Sequence, residues 1–305
     1  MNKLKLYIYP NACPHSHDLD PEYYNTTPLG EQGIKDHCIT TSPDDCDYFY
    51  MGQVSCGTVK DVHKDQFEYI DKFPEKHIVT IEGDWANKPL PKWMEKCIFV
   101  GNAAKIEHKN FPFCVRPCMS KLLIRLGTKE LDYKVKYPET KSFGFAGQYD
   151  PHGTRQKMQQ CFSTNNIPNE IIINPGWLGS VDPRSPFVQH FARILENNMF
   201  SLCPRGAGED TIRFYEGAYF GRIPIIIGKC QVMGEDYYDT SFFYRIDPDA
   251  SIEELNDFFT KIYNEDFDAL IEKCKLARTY FDDVVTKYFK DPTKFFIEFL
   301  QRHKL

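Results

Sequence analysis

The sequence predicts an α/β protein of two domains in series, each built on a parallel sheet. Three observations predict it. The chain has 305 residues, about two domains at roughly 150 residues each. Short apolar runs end in polar or glycine-containing loops, with room for a helix between one run and the next. The pattern pauses at a hydrophilic stretch, 126–141, and then restarts.

In chain order, residues 5–9 read as the first strand, closed by Pro10 and a polar loop at 11–20. Strands follow at 48–51, 77–81 and 96–100. After the hydrophilic stretch come a strand at 142–146, a helix from Thr154 with Arg155 in its first turn, a strand at 170–173 and a helix at 187–197. Next are a strand at 200–203, a glycine loop at 204–209, a helix at 210–220 stopped by Gly221, and a strand at 223–227. Ser251 and Glu254 form a capping box that opens a helix to about Tyr263. A last helix follows Asp291-Pro292 and buries Phe295, Phe296, Phe299 and Leu300. The domains are expected at 1–135 and 136–290, with 291–305 as a closing helix.

Composition narrows the function classes. Apolar residues make up 42% and charged residues 26%, enough to bury a large core and to exclude disorder. A net charge of −6 argues against a nucleic-acid partner. The longest apolar runs, such as 223–227, fall far short of the roughly 20 residues of a membrane span. The first residues have two lysines but no apolar core of a signal peptide, so a cytoplasmic protein is expected. Eleven scattered cysteines predict free thiols, and Cys114/Cys118 lack a second pair at zinc spacing. The aromatic content of 15% is assigned to core filling.

The stretch 200–227 carries the chemistry. A strand delivers the chain into Arg205-Gly206-Ala207-Gly208, and Asp210 or Thr211 caps the next helix. A helix N-terminus presents unpaired N–H groups, a natural seat for phosphate. Ile212, Tyr215 and Tyr219 form the core stripe, and Arg213 and Glu216 share a neighbouring face. Arg213 can neutralise a diphosphate and Glu216 can accept from ribose hydroxyls, which describes a nucleotide-diphosphate site. Helix spacing alone fits a surface ion pair equally well. A dinucleotide fingerprint is discounted, because the third glycine and the acidic residue after the next strand are missing. No Gly-Lys-Ser/Thr precedes the helix, so a Walker loop is absent.

The run CPRGAGEDTIRFYEGAYFGRIPIII resembles the signature of the exostosin-type glycosyltransferases, family 47. SFGFAGQYDPHGTR resembles the F-x-G…R segment that opens that family's donor domain, and SPDDCDYFY resembles a segment of its first domain. The resemblance is strong over about 142–260 and loose over 1–135. It implies a GT-B fold: two Rossmann-like domains facing a cleft, the final helix crossing back to the first. It implies an inverting enzyme that moves a xylose, glucuronate, galactose or N-acetylglucosamine class sugar from a UDP-sugar to a hydroxyl of a glycan or glycoprotein acceptor. Arg213 would meet the diphosphate and Glu216 the ribose, with Gly147, Arg155, Arg205, Gly206, Asp210 and Thr211 lining the donor pocket. Thr211 and Gly217 depart from the family's commoner Ser and Ala.

An inverting transfer needs a general base near the acceptor hydroxyl. Asp84 after the third strand, and His17 with Asp18 after the first, are the candidates. No cofactor or metal is expected. The alternatives are a non-catalytic nucleotide- or carbohydrate-binding module, and a metal-dependent GT-A enzyme using Asp247 and Asp249. The pairs Asp18/Asp20, Asp45/Asp47 and Asp266/Asp268 share the same spacing.

Overall fold

A computed structural model describes residues 3–10, 29–55, 62–82, 91–101, 113–115, 134–174, 186–206 and 211–303. The chain divides into two compact units: Met1–Arg116 with Gln231–Met233 and Val284–Leu305, and Pro117–Cys230 with Gly234–Asp283.

The first unit opens with β1 (Leu4–Ile8), α1 (Glu31–His37), β2 (Cys38–Thr40), β3 (Tyr48–Ser55), β4 (His77–Glu82), β5 (Ile98–Gly101) and β6 (Phe113–Val115). They form a six-stranded parallel sheet in the order β2-β1-β3-β4-β5-β6. β5 is buried along its whole length, as expected of a strand covered on both faces.

The second unit contains β7 (Phe143–Gln148), α2 (Thr154–Thr164), β8 (Asn169–Asn174), α3 (Pro186–Asn197), β9 (Phe200–Pro204), α4 (Ile212–Tyr219), β10 (Ile223–Ile227), β11 (Tyr244–Ile246), α5 (Ile252–Tyr263) and α6 (Phe267–Tyr280). Its sheet is parallel, in the order β11-β10-β9-β7-β8. Phe143, Phe162, Phe200 and Phe259 pack ring to ring at its centre. The chain runs from β7 to β8 on one side, then returns to β9 on the other. That reversal is a topological switch point, and ligands of such sheets bind beyond the carboxyl ends of the strands that flank it.

The first unit is completed by α7 (Thr286–Lys290) and α8 (Pro292–His303), which follow a π-helical turn at Phe281–Val285. α8 lies against α1 so closely that a Cβ on Gly33 would come within 1.8 Å of Thr293 Oγ1. Both units are thus Rossmann-like α/β layers, as the sequence predicts.

Several expectations need correction. α4 starts at Ile212, and Thr211 is its N-cap residue without a side-chain cap bond. The described part of the hydrophilic stretch, 134–141, is bonded to the second unit: Lys136 O accepts from Arg222 Nη2, and Lys141 Nζ donates to the carbonyls of Tyr263 and Glu265. The Asp247-Pro-Asp249 turn holds the Lys229 ammonium at 3.4 and 3.5 Å, so a cation of the chain occupies that carboxylate pair. Asp266 caps α6 by accepting from Ala269 N. Among the described residues seven cysteines are free, and no three metal-ligating side chains gather. No described helix is long and apolar enough to cross a membrane.

Candidate functional site

The β7–β9 ladder ends early. Phe143 pairs with Phe200 and Gly144 with Ser201, and the pairing goes no further. Ser142 O accepts from Phe200 N at 3.0 Å, so the carbonyls of the even-numbered residues of β7 face β9. Beyond Gly144 those carbonyls have lost their strand partner, and two arginines take them. Arg213 donates from Nε to Ala146 O at 3.0 Å, and from Nη2 to the same oxygen. Arg155 donates from Nη1 to Gln148 O at 2.8 Å. The two carbonyls are two residues, or about 6.6 Å, apart along the strand edge.

Besides Gln148, three residues of β7 seat this pair. The guanidinium carbon of Arg213 lies 4.8 Å from the Phe145 ring centre and that of Arg155 5.6 Å from it, both within cation–π range. Phe191 of α3 lies 5.4 Å from Arg213 as well. Ala146 supplies the carbonyl. Gly147 supplies space, since a Cβ there would stand 3.0 Å from Arg213 Nη2 and 2.6 Å from Phe145 Cζ. Gly206, just beyond β9, does the same for the other cation: its Cβ would fall 2.9 Å from Arg155 Nη2.

Arg155 is nearly cut off from water, and Arg213 is part-buried. Arg155 is only 8% exposed, and its Nε is buried with no hydrogen-bond partner among the described residues. Burial, and then the neighbouring charge of Arg213, pull its guanidinium down to about 10, while Asp150 acts in the other direction. Burial also lowers Arg213, opposed mainly by Glu216. Holding two like charges side by side in a desolvated place costs free energy, and an anion between them relieves it.

The helix ends differ. Asp150 is buried, and its carboxylate accepts from the N–H groups of His152, Thr154 and Arg155 at 2.9, 3.3 and 2.7 Å. The N-terminus of α2 is therefore satisfied by the chain itself, and the Arg155 side chain carries the positive charge. α4 has no side-chain cap.

Of the residues singled out by the sequence, Gly147, Arg155, Gly206 and Arg213 come together here. Arg205 follows β9, its N–H bonded to Ile227 O at 2.9 Å. Thr211 is buried at the start of α4. Glu216 is 3% exposed, one turn along α4 from Arg213, which excludes a surface ion pair. α4 is buried almost all round rather than along one stripe. Gly217 permits that, because a Cβ on it would meet Ser201 Cβ at 2.7 Å. Asp210, Asp84, His17 and Asp18 lie outside the described residues. Phe145, Ala146, Asp150 and Phe191 were not singled out by the sequence reading. The F-x-G motif was the signal that could have pointed to the first two.

No family model matches the chain. No curated protein matches it. Among solved structures it is similar to an α1,3-fucosyltransferase, at 12% identity over 90% of this chain and 81% of that one, with a TM-score of 0.45. An α1,3-fucosyltransferase with GDP gives a TM-score of 0.44 at 12% identity over the same shares. A glycosyltransferase from Rickettsia africae ESF-5 is 8% identical over 98% of this chain and 99% of that one, with a TM-score of 0.44. Likeness this distant bears on neither activity nor substrate.

Proposed function

We propose that the second unit binds the diphosphate of a nucleotide sugar and that the protein is a glycosyltransferase of GT-B type. The observation that carries this reading is a pair of adjacent arginines, one buried and one part-buried, held on the β7 carbonyls beyond its ladder with β9, at the switch point of a parallel sheet. Two neighbouring cations can share the two phosphates of a nucleoside diphosphate, whose charge would offset the cost of bringing them together. The exostosin-like signature supports the same reading, since its Arg, Glu and F-x-G positions are Arg213, Glu216 and Phe145-Ala146-Gly147.

On this reading Arg213 and Arg155 hold the diphosphate and stabilise it as it departs. Glu216 accepts from the ribose, and Arg205, Gly206, Asp210 and Thr211 complete the pocket. The donor is a UDP-sugar, the acceptor a glycan hydroxyl and the reaction inverting. With two guanidiniums on the leaving group, transfer needs no metal. The base is Asp84 or the His17/Asp18 pair; replacing Asp84 with Asn and His17 with Ala should lower turnover at least ~100-fold in whichever supplies it. Assaying a panel of UDP-sugars for slow hydrolysis without acceptor tests the function. Release of sugar from one donor supports it. UDP binding with no hydrolysis or transfer from any donor would leave a non-catalytic module instead.

A further inference from the structure

Two arginines that share one diphosphate need something to fix the distance between them. Each guanidinium is long and mobile in principle, with about 2 kcal/mol of rotamer entropy. Both are anchored by one carbonyl each on β7, and both lie against the same ring. Phe145 is 1% exposed and belongs to the hydrophobic core of the second unit. Gly147 is bare just where the tip of that ring and Arg213 Nη2 approach it. One aromatic side chain therefore touches every part of the cationic pair, and it carries no charge of its own.

We propose that Phe145 is the positioning residue of the donor site, holding the guanidiniums of Arg155 and Arg213 at a separation that selects a diphosphate over a monophosphate. This rests on the donor-site reading. Phe191 lies against Arg213 and, among the described residues, makes no such contact with Arg155, so it secures one cation and not the spacing. Without the ring, each arginine can still meet one phosphate, but the two no longer answer a diphosphate together.

Calorimetric titrations of pyrophosphate, inorganic phosphate and UDP test the proposal on the full chain. The wild type is expected to prefer pyrophosphate to phosphate. Phe145→Leu should weaken pyrophosphate and UDP about tenfold or more, the combined loss of two cation–π contacts. Phosphate binding should change less than about twofold, so the preference shrinks. Phe145→Met keeps the bulk without the ring and should behave alike if the leucine variant folds poorly. Phe143→Leu, in the core of the same strand and away from both arginines, should lower stability and leave the preference intact. A full pyrophosphate preference in both Phe145 variants, or an equal loss in Phe143→Leu, overturns the positioning role. A wild type that binds neither UDP nor pyrophosphate overturns the donor-site reading itself, and the proposal with it.

Discussion

A charged group kept from water needs a reason, and the fold holds two contrasting kinds. Arg222 is wholly buried, yet it donates to the carbonyls of Leu195, Glu196 and Lys136 at 2.8, 2.6 and 2.8 Å. It caps the last turn of α3 and is structural. Among the described residues Arg155 has a single carbonyl and a bare Nε, which leaves it donors for an anion. His77 is a third buried ionisable group, and its partners determine its state. Its Nδ1 lies 2.7 Å from Phe73 O, which can only accept, so Nδ1 carries the proton and Nε2 accepts from Tyr9 Oη at 2.8 Å. Burial pulls the imidazole down to about 4, from about 6.5 when unfolded. Between these values the unfolded chain binds the extra proton, so stability rises with pH through that window and falls on acidification from 6.5 to 4. The whole step is worth about 3 kcal/mol. Urea unfolding at pH 7 and pH 4.5 should show a smaller pH-dependent loss in His77→Phe than in the wild type. An equal loss would remove His77 as the cause.

At the scale of elements, α4 depends on two glycines for different reasons. Gly221 has φ +65° and closes the helix: its N–H meets Ala218 O and the Arg222 N–H meets Gly217 O, at 3.0 and 2.8 Å. Gly221→Ala forces a side chain into a left-handed position and 2.8 Å from Val135, so the melting temperature should drop by several degrees. Gly217→Ala should cost about 1–3 kcal/mol through overpacking against Ser201. Ser201→Gly in the same chain should restore much of it in chemical denaturation; no recovery would mean the strain lies elsewhere. The strands and helices of the second unit were legible because their apolar runs and punctuation agree with the tertiary outcome. α1 was not. Glu31–His37 has a glycine at its centre and little apolar periodicity, and it packs through Gly33 on Thr293, far away in sequence. α6 does carry a readable cap in Asp266 and an apolar spacing in Leu270, Cys274 and Ala277, which a metal reading of Asp266/Asp268 obscures. Within the site, charges were legible in the motif and their supports were not. Ala146 O is free for Arg213 only because the β7–β9 ladder stops at Gly144, and pairing between distant strands leaves no local mark.

For the molecule as a whole, the two sheets share one strand order at the switch point, with the first strand of each flanked by its second on one side and its third on the other. The described residues of the proposed donor site all belong to the second unit: the two arginines, the ring, the glycines and the buried Glu216. Nucleotide binding should therefore stabilise the full chain, by about 2.7 kcal/mol at a hundredfold excess over Kd. It should not require a divalent cation, because the arginines supply the charge and Asp247 and Asp249 already hold Lys229. EDTA is expected to leave UDP affinity unchanged, and a strong loss would favour the metal-dependent alternative. The central claim is that Arg155 and Arg213 together bind a nucleoside diphosphate, and titration of UDP into the wild type, Arg155→Ala, Arg213→Ala and Glu216→Ala measures it directly. Each arginine variant should bind at least about tenfold more weakly, the worth of a charge-assisted hydrogen bond, with Glu216→Ala weakened too. Wild-type affinity in both arginine variants would contradict the account.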